Sequence, residues 1–226
     1  MNRTNWIILF FVALVVNVLG GLIKNQLLDY FSKPFIVVGV VGYFLAAVAG
    51  IRSPLKKWTQ FALLFSWIGD ILLMFQQGNS SFFLFGLCSF LIAHIFYIIF
   101  FHRVRIKENI KGRIWPALIV VIYYTSLIII LSPRLGDMKT PVRIYGIVIS
   151  LMFMLAMHML FIKDRKAGMA MMIGALLFVV SDSVLAINKF YQPFAAAGII
   201  VMLSYGLAQL AIAYGAARYI NLVGKE

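Results

Sequence analysis

The chain has 226 residues, 63% of them hydrophobic, with 20 Lys and Arg against 7 Asp and Glu, and its mean hydropathy is +0.99. An apolar fraction so far above the globular range excludes a soluble enzyme. The net charge of +13 does not make the chain a nucleic-acid binder, because the basic residues fall in short stretches between apolar runs and form no soluble basic face; their natural partner is the anionic headgroup layer of membrane lipids.

Crossing the hydrocarbon layer takes about 20 apolar residues, and the chain offers eight such runs in succession. The first, 5–23, follows Arg3 and continues uninterrupted to Lys24, beyond the apolar stretch of a cleaved signal, so it reads as a retained helix. The second is predicted at 34–51, entered through Lys33-Pro34, the third at 58–77 and the fourth at 81–101. Cys88, the single cysteine, lies inside the fourth, which leaves no intrachain disulfide and no cysteine metal cluster. Spans five to eight are predicted at 114–132, 144–162, 167–188 and 193–217. None of the runs alternates with period two, so a bundle of helices, not a β-barrel, satisfies the backbone. The expected architecture is all-α: a single polytopic domain over 1–226 with eight transmembrane helices and no loop long enough for a soluble catalytic domain. Grouping Lys and Arg by alternate sides puts 14 of the 20 with the termini, which the positive-inside rule reads as both termini cytoplasmic. The expected location is a bacterial inner membrane, with a homodimer left open.

Five acids, Asp29, Glu108, Asp137, Asp164 and Glu226, fall in loops or at the tail and read as solvated charges. Asp70 and Asp182 fall in the central part or outer half of spans three and seven, where a carboxyl costs on the order of 3 kcal/mol on insertion scales. Two readings fit them: protonated carboxyls acting as interhelical hydrogen-bond glue, or a shared polar cavity. His94 in span four and Gln209 in span eight are also intramembrane polar residues; Tyr97 shares the helical face of His94, and Tyr205 that of Gln209. His158, near the cytoplasmic end of span six, reads as snorkelling.

Spans three and seven carry matching segments, Phe65 to Leu72 and Phe178 to Leu185, each with a small residue, Gly69 or Ser181, directly before its aspartate. Each is followed by a span with Ser-aromatic-x-x-Ala-polar, at Ser89-Phe90 to His94 and at Ser204-Tyr205 to Gln209. The separations are 24 residues from Asp70 to His94 and 27 from Asp182 to Gln209. Both aspartate helices run outward, so the pattern suggests a four-plus-four parallel repeat with its axis along the membrane normal, which sets Asp70 opposite Asp182 across one cavity.

The stretches Ser66-Trp67-Ile68-Gly69-Asp70, Gly86 to His94 and Tyr97, Gly174 to Ser183, and Tyr205-Gly206-Leu207-Ala208-Gln209, in this order and spacing, resemble the YhhN family of membrane proteins, the lysoplasmalogenases. Lys33-Pro34 and Tyr145 also resemble positions of that family. The resemblance implies hydrolysis of the vinyl ether bond of lysoplasmalogens to a fatty aldehyde and a glycerophospho-alcohol, with a lysophospholipid as substrate. The acid and base roles then fall to Asp70 and Asp182, and binding or orienting roles to His94, Tyr97, Tyr205, Gln209, Ser66, Ser181, Lys33 and Tyr145. Vinyl ether hydrolysis needs an acid to protonate the β-carbon and a negative partner for the resulting oxocarbenium ion; two facing carboxyls supply both. Nothing in this chemistry calls for a metal or another cofactor. The alternative is a proton-coupled small-molecule or lipid transporter, since intramembrane acids and parallel repeats serve carriers as well.

Overall fold

The computed structural model describes residues 2–79 and 81–224, which places the tail charges Lys225 and Glu226 outside the described residues. Among those residues there are eight long helices and no strand: α1 (Arg3–Leu22), α2 (Gln26–Ala47), α3 (Pro54–Met74), α4 (Ser81–Lys107), α5 (Ile114–Leu131), α6 (Lys139–His158), α7 (Arg165–Ala186) and α8 (Ala197–Val223). Seven are long and apolar enough to cross a membrane; α3 is the exception, because its first turns carry Lys56, Lys57, Thr59 and Gln60 and its interior carries Asp70.

The helix starts follow capping chemistry more closely than the apolar runs do. Asn25 accepts the backbone N–H groups of Leu27 and Leu28 and so starts α2 at Gln26, well before the expected entry at 34. Lys33 and Pro34 therefore lie inside the helix and not at its mouth. A proline there leaves one carbonyl of the preceding turn unbonded, which transmembrane helices tolerate. Ser53 accepts the N–H of Leu55, with Pro54 pre-set for the first turn of α3, and Asp164 accepts those of Lys166 and Ala167 at the start of α7. Span six begins at Lys139, earlier than 144, and span eight at Ala197, later than 193. A π-helical turn, Ile187–Tyr191, continues α7.

α1 packs on α2, α3 on α4 and α7 on α8 as antiparallel hairpins, α6 lies against α4 and α5, and α8 also touches α1, α2 and α3. The interior is closed by small residues. A Cβ on Gly174 would come 2.8 Å from the carbonyl of Ala208, and one on Gly215 would come 2.7 Å from that of Ala167, so α7 and α8 touch backbone to backbone. Outward faces are apolar: Ile8, Val12 and Val15 of α1, and Leu118, Val121, Ile122 and Ile129 of α5, are exposed. Polar side chains go inward instead, with Asn17, Ser66, Asp70, His94, His158 and Gln209 all buried. This is the arrangement lipid demands.

The two ends of the bundle differ. At the end that holds the termini, Arg3 donates to the carbonyls of Ala46 and Ala47, and Asn221 also donates to Ala47. Arg218 pairs with Asp164 at 2.6 Å, and Glu108 accepts from the Tyr219 hydroxyl and the Lys163 N–H. Asp164 and Glu108 are thus structural anchors, not free loop charges. His158 is no snorkelling residue either: it is buried, its Nδ1 donates to the Met154 carbonyl and its Nε2 accepts the Arg113 N–H, which pins the α4–α5 connection. The opposite end, formed by the turns between α1 and α2, α3 and α4, α5 and α6, and α7 and α8, holds the cavities described next.

Candidate active site

Asp70 projects from the last turns of α3 and is 2% exposed. The Tyr205 hydroxyl of α8 donates to its Oδ2 at 2.7 Å. Behind Tyr205, the Gln209 amide donates to that hydroxyl at 3.4 Å, and the Tyr97 hydroxyl of α4 donates to Gln209 Oε1 at 2.7 Å. Tyr97, Gln209, Tyr205 and Asp70 thus form one chain of donors, every bond pointing toward the carboxyl, and bonds aligned in this way reinforce one another.

Asp182 projects from α7 and is met from a different side. The Tyr145 hydroxyl of α6 donates to Asp182 Oδ2 in a short hydrogen bond. His94 Nε2 of α4 lies 3.9 Å from the same oxygen, beyond hydrogen-bond reach. His94 Nδ1 contacts the Phe90 carbonyl at 2.6 Å, and since a carbonyl only accepts, Nδ1 carries the ring proton. That leaves Nε2 as a fully buried bare lone pair with no hydrogen-bond partner among the described residues. The His94 ring is held edge-on by Tyr145 and Phe178. Among the described residues, the Oδ1 atoms of Asp70 and Asp182 have no hydrogen-bond partner.

Both carboxyls line one small cavity of about 70 Å³, and they are near enough for their charges to interact. Leu73, Phe83, Leu87, Phe90 and Leu185 form its apolar walls, and Lys33, Gln76, Tyr145, Ser181 and Tyr205 join the aspartates as its polar ones. A second, larger cavity of about 250 Å³ adjoins it at the turn end, sharing Lys33, Gln76, Leu185, Val201 and Met202.

The ten residues singled out from the sequence therefore fall into two groups. Asp70, Asp182, Tyr145, Tyr205, Ser181 and Lys33 face the cavity, although the Ser181 hydroxyl is engaged in donating to the Val201 carbonyl at 3.1 Å. His94, Tyr97, Gln209 and Ser66 stand behind its wall; Ser66, one turn from Asp70, is fully buried and has no hydrogen-bond partner for its hydroxyl among the described residues. Sequence reasoning missed Gln76, at the end of α3, and Asp29, which lies in the first turn of α2 and lines the second cavity. The spacing of Asp29 and Lys33, one turn apart on α2, is the signal that could have found the latter. Among the described residues, no group of three His, Cys, Asp or Glu converges as a metal would require.

A helical bundle with an apolar exterior and a pair of carboxyls on one internal cavity defines an integral, multi-pass membrane protein with a polar site inside the bundle. The chain belongs to the YhhN family, whose family model matches residues 28–216. It is 32% identical to the human lysoplasmalogenase TMEM86B over 77% of this chain and 71% of that one. Human lysoplasmalogenase TMEM86A is 29% identical over 80% of this chain and 72% of its own. A lysoplasmalogenase of Mycobacterium bovis is 28% identical over 76% of this chain and 66% of its own. No solved structure matches.

Proposed function

We propose that the chain is a lysoplasmalogenase that hydrolyses the vinyl ether bond of a lysophospholipid within the bundle, with Asp70 and Asp182 as its acid and base. The observation that carries this reading is the pair of carboxyls, one from α3 and one from α7, each held by a tyrosine hydroxyl on a single largely apolar cavity. The apolar walls of this cavity suit the vinyl ether end of an alkenyl chain, and its two carboxyls would hold one proton between them, since both cannot ionise cheaply side by side.

Asp182 is the better proton donor. The bare Nε2 of His94 faces it, and a lone pair beside a carboxyl favours the protonated acid over the anion. Asp70 is the better carboxylate, because the donor chain from Tyr97 through Gln209 and Tyr205 ends on its oxygen. In the proposed reaction, Asp182 delivers its proton to the β-carbon of the vinyl ether and leaves an oxocarbenium ion across the α-carbon and the ether oxygen. The Asp70 carboxylate stabilises that cation and then takes a proton from the water that adds to the α-carbon. The hemiacetal collapses as its hydroxyl proton passes to Asp182 and the Asp70 proton passes to the departing glycerol oxygen. One water is consumed, one aldehyde and one glycerophospho-alcohol leave, and both carboxyls return to their starting states. The division of labour parallels the carboxyl pair of glycosidases in chemistry, not in fold.

Carrier sites are typically built on broken helices, whereas α3 and α7 run unbroken through Asp70 and Asp182. The test is aldehyde release from a defined lysoplasmalogen by the purified chain in detergent, where no compartments exist to transport between. Turnover supports the enzyme, and binding without turnover overturns it.

A further inference from the structure

The second cavity places a charge pair where a lipid headgroup has to sit. Asp29 and Lys33 are one turn apart on α2, a spacing at which opposite charges meet, with Cβ atoms about 5–6 Å apart. They do not pair: among the described residues Lys33 has neither an ion-pair nor a hydrogen-bond partner, and Asp29 is engaged by the Asn17 amide at 2.7 Å on Oδ1 alone. Both nevertheless line the cavity at the turn end, and Lys33 is the one cation among the described residues that lines this cavity and the aspartate cavity together. Its ammonium is close enough to Asp70 for their charges to interact.

The connectivity of a lysophospholipid matches this layout. Only the three-carbon glycerol separates its chain-bearing oxygen from its phosphate, so a chain linkage held at Asp70 and Asp182 puts the phosphate at the junction of the two cavities, and the rest of the headgroup must continue into the second.

We infer that the junction and second cavity are a seat for a zwitterionic glycerophospholipid headgroup, in which Lys33 takes the phosphate and Asp29 takes the ammonium, leaving the chain linkage at the aspartates. The inference rests on the proposed vinyl ether chemistry for the identity of the reacting bond, but headgroup binding is measurable without any reaction. It also fixes the route of entry: the headgroup comes in from the leaflet at the turn end.

The probe is radiolabelled 1-O-hexadecyl-glycerophosphocholine, whose saturated ether cannot be protonated and cleaved, bound to the purified full chain. Unlabelled competitors are the same lipid, 1-O-hexadecyl-glycerophosphate without the ammonium, 1-O-hexadecylglycerol without phosphate, and soluble glycerophosphocholine and inorganic phosphate. The zwitterionic lipid should compete best, the phosphate ester second and hexadecylglycerol worst, each lost charged contact costing about tenfold in affinity. Lys33→Gln should weaken the two phospholipids about tenfold and leave hexadecylglycerol as it was, Lys33→Arg should restore them, and Asp29→Asn should remove only the advantage of the zwitterion. Lys139→Gln, an exposed lysine at the same end outside both cavities, should change nothing. Equal competition by hexadecylglycerol and the phospholipids in the unaltered chain overturns the seat whatever the variants do. Competition by glycerophosphocholine or phosphate at lipid-like concentrations overturns the lipid as its occupant. If the binding order holds while no vinyl ether is turned over, the seat stands and the proposed reaction falls; turnover without headgroup discrimination gives the reverse.

Discussion

An aspartate in an apolar helix is legible because it is expensive, and Asp70 and Asp182 could be picked from the sequence for that reason alone. Their roles depend on neighbours that the sequence leaves ambiguous. Tyr97, Tyr145, Tyr205, His94 and Gln209 all read as polar residues inside spans, yet only Tyr145 and Tyr205 reach the cavity, while the other three stand behind it. Which side of a helix faces inward is set by rotation within the bundle, and apolar residues on every face give that rotation no periodic signature. The proposed division of labour makes two predictions. Asp70→Asn and Asp182→Asn keep size and hydrogen bonding but cannot exchange a proton, so each should lower aldehyde release by about 10²- to 10⁴-fold, the contribution of a general acid or base, while the purified variants stay monodisperse. Near-normal rates in either would return that aspartate to helix glue. Gln209→Ala and Tyr97→Phe interrupt the donor chain two and three links from Asp70. Each should cost less than either aspartate variant, and an equal loss in a folded Gln209→Ala protein would show that Gln209 touches the reacting atoms.

Element by element, the number of helices was legible and their edges were not. Continuous apolar runs separated by charge clusters give eight helices, but the clusters mislead about ends, as at α2, where Lys33-Pro34 looks like an entrance and Asn25 is the cap. Asp29 was lost by the same route, since an acid near a turn looks like any loop charge until the helix around it is known. The four-plus-four repeat remains a proposal, because the two aspartates are not held by equivalent helices. Asp70 is met by Tyr205 of α8, whereas the hydroxyl that meets Asp182 comes from Tyr145 of α6, with His94 of α4 farther off at 3.9 Å. The α7–α8 hairpin offers a test at this scale. Gly174 and Gly215 let the two helices approach until a Cβ on either would sit under 3 Å from a backbone carbonyl, and a carbonyl cannot move aside as a flexible side chain can. Gly215→Val should therefore destabilise the protein by at least the ~1–3 kcal/mol typical of overpacking, read as loss of the monodisperse peak on heating in detergent. Gly198→Ala, at the open N-terminal end of α8 where nothing lies within 4 Å, should leave that profile unchanged.

On the scale of the whole molecule, the sidedness proposed from charge decides where the proposed reaction takes place. In the sequence, 14 of the 20 basic residues group with the termini on alternate sides of the spans, from which we propose, by the positive-inside rule, that this side is cytoplasmic. That end is tied together by the network of Arg3, Asn221, Arg218, Asp164, Glu108 and His158, while the cavities that reach the aspartates lie among the turns at the other end. Both termini should therefore be labelled only from the cytoplasmic side, and substrate should enter from the opposite leaflet. The polar glycerophospho-alcohol crosses a bilayer poorly because its phosphate is charged, so it should accumulate on the side on which it is released. With lysoplasmalogen supplied to oriented vesicles, right-side-out preparations should release the glycerophospho-alcohol into the medium and inverted ones should trap it in the lumen, while the aldehyde, being apolar, stays with the membrane in both. The reverse distribution, with the termini confirmed as cytoplasmic by labelling, would mean that the cavity is reached from the end that the network ties together, and would require that network to open during turnover. Termini labelled only from outside would instead overturn the orientation itself and leave the cavity facing the cytoplasmic leaflet.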